Sequence, residues 1–303
     1  MPPPALVECV PNFSEGRRTE VVDRIVAAAA GTPGVQVLDR TSDASHNRSV
    51  ITLVGAGSDL VEAAVRMGRT AAALIDLREH TGEHPRMGAT DVVPFVPVSG
   101  VTMAQCVELA RECGRRFGAE LGIPVFLYES AATRPERKNL ADVREGQFEG
   151  LRERIGSDPT RAPDFGPPHI HPTAGVTAVG ARKFLIAYNV NLASPDVKLA
   201  KRIAKAIREK DGGFKCVKAM GFHLADRDLA QVSMNMTDYE TTSLLAVYER
   251  IEGLAAEAGV KPLESELVGL APAAALPGDV ARRIQLRDFD PDRQIIERRA
   301  GLR

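Results

Sequence analysis

The chain has no tryptophan, and aromatic residues make up only 5% of its 303 positions. A flat ligand ring must therefore stack on Phe, Tyr or His. Charge of one sign is also missing: 39 basic and 40 acidic residues leave a formal net charge of −1. That argues against the broad positive field of sequence-independent nucleic-acid binding, while leaving room for a local basic site for a small anion. No apolar run approaches the roughly 20 residues of a membrane helix. The start, "MPPPALVECV", lacks the charged and long apolar regions of a signal peptide, and Met1–Pro4 reads as a frayed tail. The four cysteines, Cys9, Cys106, Cys113 and Cys216, form no CxxC pair. Scattered through apolar stretches, they read as reduced, buried thiols of a cytoplasmic protein, against a zinc or redox role.

Hydrophobic residues, at 44%, are plentiful, and their spacing switches between helix and strand periods. Leu6–Gly16 opens as a strand and ends in turn residues. Arg18–Gly31 repeats Val21, Val22, Ile25, Val26 and Ala29 at helical spacing, and Gly31 stops it. Val35–Asp43 and Ser49–Gly57 read as strands. Ser58–His80 reads as one long helix capped by Ser58. Asp91–Val98 is the next strand, and Pro94 and Pro97 predict an edge or bulged position for it. This β-α-β-β-α-β order is the ferredoxin-like split βαβ pattern. Thr102–Leu121 adds a helix and Ile123–Ser130 a strand. Ala131–Arg161 is polar, rich in arginine, and holds one helix.

Asp158–Gly175 is rich in proline, so it is neither a helix nor a central strand. It reads equally as an interdomain linker or as a stiff loop that shapes a ligand site. After it the order repeats. Val176–Leu192 is a long strand or hairpin, and Ser194–Lys210 a helix with Ser194 as cap and Pro195 first. "FKCVKAMGFHL" and "LAQVSMNMTD" are strands bridged at Ala225–Asp228. Tyr239–Gly259 is a helix and Glu264–Pro272 a strand. The expectation is an α/β (α+β) chain of two ferredoxin-like βαββαβ subdomains, residues 1–178 and 179–303, with a ligand cleft between them.

"HTGEHPRMGATDVVPF" (80–95) concentrates the reactive side chains. His80 to His84 fits H-x-x-E-H, an inverted zinc-peptidase pattern. That chemistry needs both histidines on one face of a continuous helix, and here Gly82 breaks the turn while Pro85 keeps His84 out of helical dihedrals. No metal is expected. His80 reads as a helix end, where a positive group is favourable. His84, outside the helix and near Glu83 and Arg86, reads as an acid/base group tuned near neutral pH. Asp39 ends one strand and Asn47 and Arg48 open its antiparallel neighbour, so Asp39 and Arg48 are expected near one rim. They form a surface salt bridge, or Arg48 clamps a carboxylate.

Together "VECVPNFSEGR", "HNRSVITLVG", "GEHPRMGATDVVPFVPV", "PVFLYE", "APDFGP", "GARKFLIAYNVNL" and "LAQVSMNMTD" resemble the formiminotransferase domain family, from about Val7 to Glu297. The resemblance implies two α/β subdomains around a ligand cleft, usually in a homodimer. It implies transfer of the formimino group of N-formimino-L-glutamate to N5 of tetrahydrofolate, a co-substrate, with His84 as the catalytic acid/base. Asp39 or Glu83 would orient His84, and Arg48, Arg86 and Asn47 would bind substrate. The folate loop falls on Gly166, Pro167, Pro168, His169, Ile170, His171, Pro172, Thr173, Ala174 and Gly175, where Ala174 replaces the tryptophan of vertebrate members. The proline-rich stretch thus shifts from linker to ligand loop. N-formylglutamate as donor and a non-catalytic folate-binding protein are the alternatives. No cyclodeaminase segment is expected in this chain, so the product would pass to a separate cyclodeaminase.

Overall fold

The computed structural model describes residues 5–302; the expected frayed tail at Met1–Pro4 lies outside them. The chain divides into two compact units, with the break after Arg182. The segment read as a long strand or hairpin, Val176–Leu192, is two strands in two different sheets, and a break at 178 would fall inside the first of them.

The first unit is built on a seven-stranded sheet. β1 (Leu6–Cys9) and β2 (Asn12–Phe13) run into α1 (Thr19–Ala30), then β3 (Val35–Asp43), β4 (Arg48–Gly55), α2 (Gly57–Leu74) and β5 (Thr90–Ser99). β1 lies between β4 and β5, antiparallel to both, and β3 pairs with β4 on the outside. α3 (Met103–Leu121) and β6 (Val125–Glu129) follow, with short helices α4 (Leu140–Val143) and α5 (Gln147–Arg154), and then β7 (Thr177–Ala181). β7 sits parallel between β5 and β6. β5 is therefore a central strand. Its pairing shifts register between Leu6 and Val7 and between Asn12 and Phe13, so the bulge was legible and the edge position was not.

Amphipathic spacing decides which helix faces pack. α1 buries Val21, Val22, Ile25 and Ala29, and α2 buries Leu60, Ala64, Met67 and Ala71 in the same core. α3 starts at Thr102, whose hydroxyl accepts from Gln105 N while the Gln105 side chain reaches back, a capping box. α2 ends at Leu74, six residues before the expected His80. Ile75 and Leu77 are buried beyond it, and Leu77 N donates to Thr173 O at 2.9 Å, so tertiary pairing replaces further helical bonds.

The second unit holds a four-stranded antiparallel sheet in the order β11-β8-β10-β9. β8 (Ile186–Leu192), α6 (Val197–Ile207), β9 (Val217–Leu224), β10 (Leu229–Met236), α7 (Leu244–Ala256) and β11 (Pro262–Val268) follow in chain order. α6 is capped by Asp196, which accepts from Lys198 N and Leu199 N; Ser194, the expected cap, instead accepts from Asp196 N. Among the described residues no helix is long and apolar enough to cross a membrane.

Candidate active site

Arg48 opens β4 directly after the turn from β3. Its side chain is 11% exposed. Nε and Nη2 donate to Asn12 Oδ1 at 3.2 and 2.9 Å, and Nη1 donates to Asp91 Oδ2 at 2.8 Å. Asp91, near the start of β5, is completely buried. Its Oδ1 accepts from Met87 N at 2.9 Å, and its Oδ2 also accepts from Arg144 Nη2 at 2.5 Å. Burial pushes the carboxyl up, but Arg144, Arg48 and the Met87 N–H outweigh it and hold its pKa at about 2. Asp91 is thus a fixed anion that orients two guanidiniums.

His84 lies beside this group. Its Nδ1 is 2.6 Å from Pro85 O and 3.3 Å from Arg48 Nη1. A carbonyl needs a donor, so the shorter contact puts the proton on Nδ1 and leaves Arg48 only close by. Nε2 then keeps its lone pair. Burial first, and the Arg48 and Arg144 charges next, lower the ring's pKa to about 4. The expectation of a histidine tuned near neutrality is corrected: His84 is a neutral imidazole at pH 7. Its ring meets His46 edge-on at 6.3 Å between centroids.

The other candidates separate. Asp39 pairs with Thr52 and Asp43 with Arg48 across β3 and β4. Asp39 is therefore four ladder steps from Arg48, roughly 13 Å, and Arg48's carboxylate is Asp91. Glu83 is exposed; its backbone N–H donates to Ser45 O, and its carboxylate has no hydrogen-bond or ion-pair partner among the described residues. Arg86 makes a two-pronged bond to Glu149, at 2.7 Å on each oxygen, and lies 5.9 Å from the Phe148 ring. Asn47 is buried in the left-handed region, with φ 50°. Its Oδ1 accepts from Gly16 N at 2.9 Å and its Nδ2 donates to Thr81 O at 3.0 Å. It ties three chain segments together next to Arg48. His80 is not at a helix end: its Nε2 lies 3.1 Å from Asn47 O, and burial lowers its pKa. With α2 ended at Leu74, the H-x-x-E-H match has no helix to sit on.

The 166–175 loop is half anchored and half open. Gly166 takes φ 85°, and a Cβ there would lie 2.8 Å from Ile123 O. Pro168, His169 and Pro172 are exposed, while Ile170 and Ala174 are buried. His171 and Gly175 exchange backbone hydrogen bonds at 3.1 Å, and His171 Nδ1 accepts from Ala174 N at 3.0 Å. Ala174, 0% exposed, offers no ring and no open face for stacking. The end of the loop pairs with the strand of chain after His84: Ala89 N donates to Ala174 O and Val176 N to Met87 O, both at 2.9 Å. The two loops are one structural piece.

Sequence reasoning missed Asp91 and Arg144. A lone aspartate heading an apolar strand was a readable signal for Asp91. Arg144 carried none, being one of several arginines in a polar segment.

The formiminotransferase domain, N-terminal subdomain, matches residues 6–182, and the formiminotransferase domain matches residues 187–282. The chain belongs to the formiminotransferase domain family. The chain is 53% identical over 292 residues to a glutamate formimidoyltransferase of Streptococcus pyogenes serotype M1, covering 96% of this chain and 97% of that one. It is 49% identical to a glutamate formimidoyltransferase of Thermoplasma acidophilum, covering 97% of both chains. A formimidoyltransferase-cyclodeaminase of Rattus norvegicus is 47% identical over 89% of this chain and 51% of its own length.

Proposed function

We propose that the chain is a glutamate formimidoyltransferase, moving the formimino group of N-formimino-L-glutamate to N5 of tetrahydrofolate. The products are 5-formiminotetrahydrofolate and L-glutamate, a step that links histidine breakdown to one-carbon folate metabolism. One observation carries the chemistry: His84 is fixed through Nδ1 on Pro85 O, with Nε2 open, beside Arg48.

N5 attacks the amidine carbon and a tetrahedral centre forms. His84 Nε2 takes the proton that N5 loses and returns it to the glutamate nitrogen as the carbon–nitrogen bond to glutamate breaks. One base thereby serves both half-steps, and atoms balance without another reactant. Arg48, held by Asn12 and Asp91, presents a preset donor to a substrate carboxylate. Holding both substrates in register supplies much of the remaining acceleration. The exposed part of the 166–175 loop, with His169 and Pro168, receives folate. The strand orders, β5-β1-β4-β3 within the first sheet and β11-β8-β10-β9 in the second, support a ferredoxin-like reading of each unit. A homodimer and a cytoplasmic location belong to the same proposal.

The deciding assay supplies tetrahydrofolate with N-formimino-L-glutamate or N-formyl-L-glutamate in parallel, measuring free glutamate and the folate product. Turnover is expected with the formimino donor. Turnover with the formyl donor alone would reassign the reaction, and folate binding without turnover would make the chain a non-catalytic folate-binding protein.

A further inference from the structure

Asp91 offers one carboxylate to two guanidiniums. Arg48 Nη1 reaches its Oδ2 at 2.8 Å and Arg144 Nη2 reaches the same atom at 2.5 Å, while Met87 N occupies Oδ1. Of the acidic side chains that follow Arg144, Glu145 pairs with Arg161 and Glu149 with Arg86; Glu83 is exposed, and the charges that act on His84 are those of Arg48, Arg144 and Asp91. Positive charge is therefore in surplus beside His84. Arg144 carries a second signal. Its Nε is buried and has no hydrogen-bond partner among the described residues, which is unfavourable until an acceptor arrives. The chain also holds this arginine firmly: Gly146 and the non-glycine Gln147 follow it at φ 85° and 55°, and Phe148 N is bonded to Arg86 O.

Resting on the reaction proposed above, we infer that Arg144 and Arg48 together bind the donor carboxylate closest to the reacting nitrogen, with Asp91 aiming both guanidiniums. A carboxylate could reach this place from the donor or from the glutamyl tail of folate. In the donor, the α-carboxylate sits on the carbon that bears the reacting nitrogen. In tetrahydrofolate, an aminobenzoyl group separates N5 from the tail carboxylates. Arg48 Nη1 is only 3.3 Å from His84 Nδ1, so a carboxylate bound here lies close to the proton-transfer base. The donor alone meets that spacing. Once bound, it also offsets the two positive charges that depress the basicity of His84, so the base strengthens when the donor is in place. Arg86, bound to Glu149, leaves this role to Arg144.

The test uses the full chain with Arg144→Met and Arg144→Lys, each checked for folding by circular dichroism and thermal melting. Arg144→Met is expected to raise KM for N-formimino-L-glutamate by roughly tenfold or more, with KM for tetrahydrofolate within twofold. Arg144→Lys keeps the charge on Asp91 but loses the fork, so its donor KM should fall between. Added guanidinium should partly restore the Met variant. An unchanged donor KM in a folded variant overturns the inference, as does a rise confined to tetrahydrofolate, which would assign the site to the folate tail. Calorimetric binding of glutarate to wild type and Arg144→Met separates this from the reaction itself. Glutarate binding that Arg144→Met weakens supports the carboxylate site even if N-formimino-L-glutamate proves not to be the donor. Binding that the variant leaves unchanged overturns it.

Discussion

Gly88 and Gly175 face each other across an antiparallel bridge, and this contact joins the His84 loop to the 166–175 loop. A Cβ on Gly88 would lie 1.9 Å from Val176 O and 2.7 Å from Thr90 O, both backbone atoms. Gly88→Ala must therefore push two backbone segments apart. We expect a loss of about 1–3 kcal/mol in urea unfolding, together with weaker tetrahydrofolate binding. Unaltered stability and folate affinity would show that the bridge does not couple the loops.

Removing the ring of His84 should separate chemistry from binding. His84→Ala is expected to reduce turnover by about 10²–10⁴-fold while tetrahydrofolate still binds, as followed by equilibrium titration. Near-wild-type turnover in a folded variant would take the acid/base role from this residue.

The protonation of His84 gives a pH test with a definite sign. Its pKa is lowered from 6.5 to about 4, by burial and then by the charges of Arg48 and Arg144. The neutral base is thus present above about pH 4 in the free protein and is lost as pH falls through that value. Ring titration by NMR should find a midpoint close to 4, and Arg144→Met should move it upward because one opposing charge is gone. A wild-type midpoint at the ordinary 6.5 would contradict the charge arrangement.

Asp91 should be the most sensitive residue of the cluster. Its folded pKa of about 2 is below the ordinary 3.8, so its stabilisation is complete above pH 3.8 and disappears as pH falls through 2. Asp91→Asn leaves Arg48 and Arg144 without their anion, and we expect a loss of about 3–5 kcal/mol by denaturant titration. A loss under 1 kcal/mol would mean that solvent already shields the pair.

Asn47 and Arg86 should part company in kinetics. Asn47→Ala removes hydrogen bonds to Gly16 and Thr81 and places alanine at φ 50°. A stability loss of about 1–3 kcal/mol is expected, with lower turnover through the displaced Arg48. Arg86→Met breaks the bond to Glu149 but should leave donor KM within threefold. A tenfold rise there would return Arg86 to the substrate.

Local sequence determined the elements that rest on short-range physics. Periodicity placed α1, α3 and the strands β3 and β4 within a residue or two, because burial of one face dictates the spacing. Pro85 and Gly82 excluded a helical zinc pair, since their backbone limits act within one turn. The motif "GEHPRMG" marked His84 itself. Tertiary structure decided the rest. α2 ends at Leu74, and beyond it Thr173, far along the chain, takes the Leu77 N–H. Arg48 could have met Asp39, a neighbour in the hairpin, but the ladder register separates them and brings in Asp91 from β5. Arg144 reaches the same carboxylate from a segment with no motif, and Glu149 removes Arg86. Charge partners are chosen by distance in space, and the pKa of His84 follows from those partners. Sequence alone could single out His84; only the fold set the charges around it.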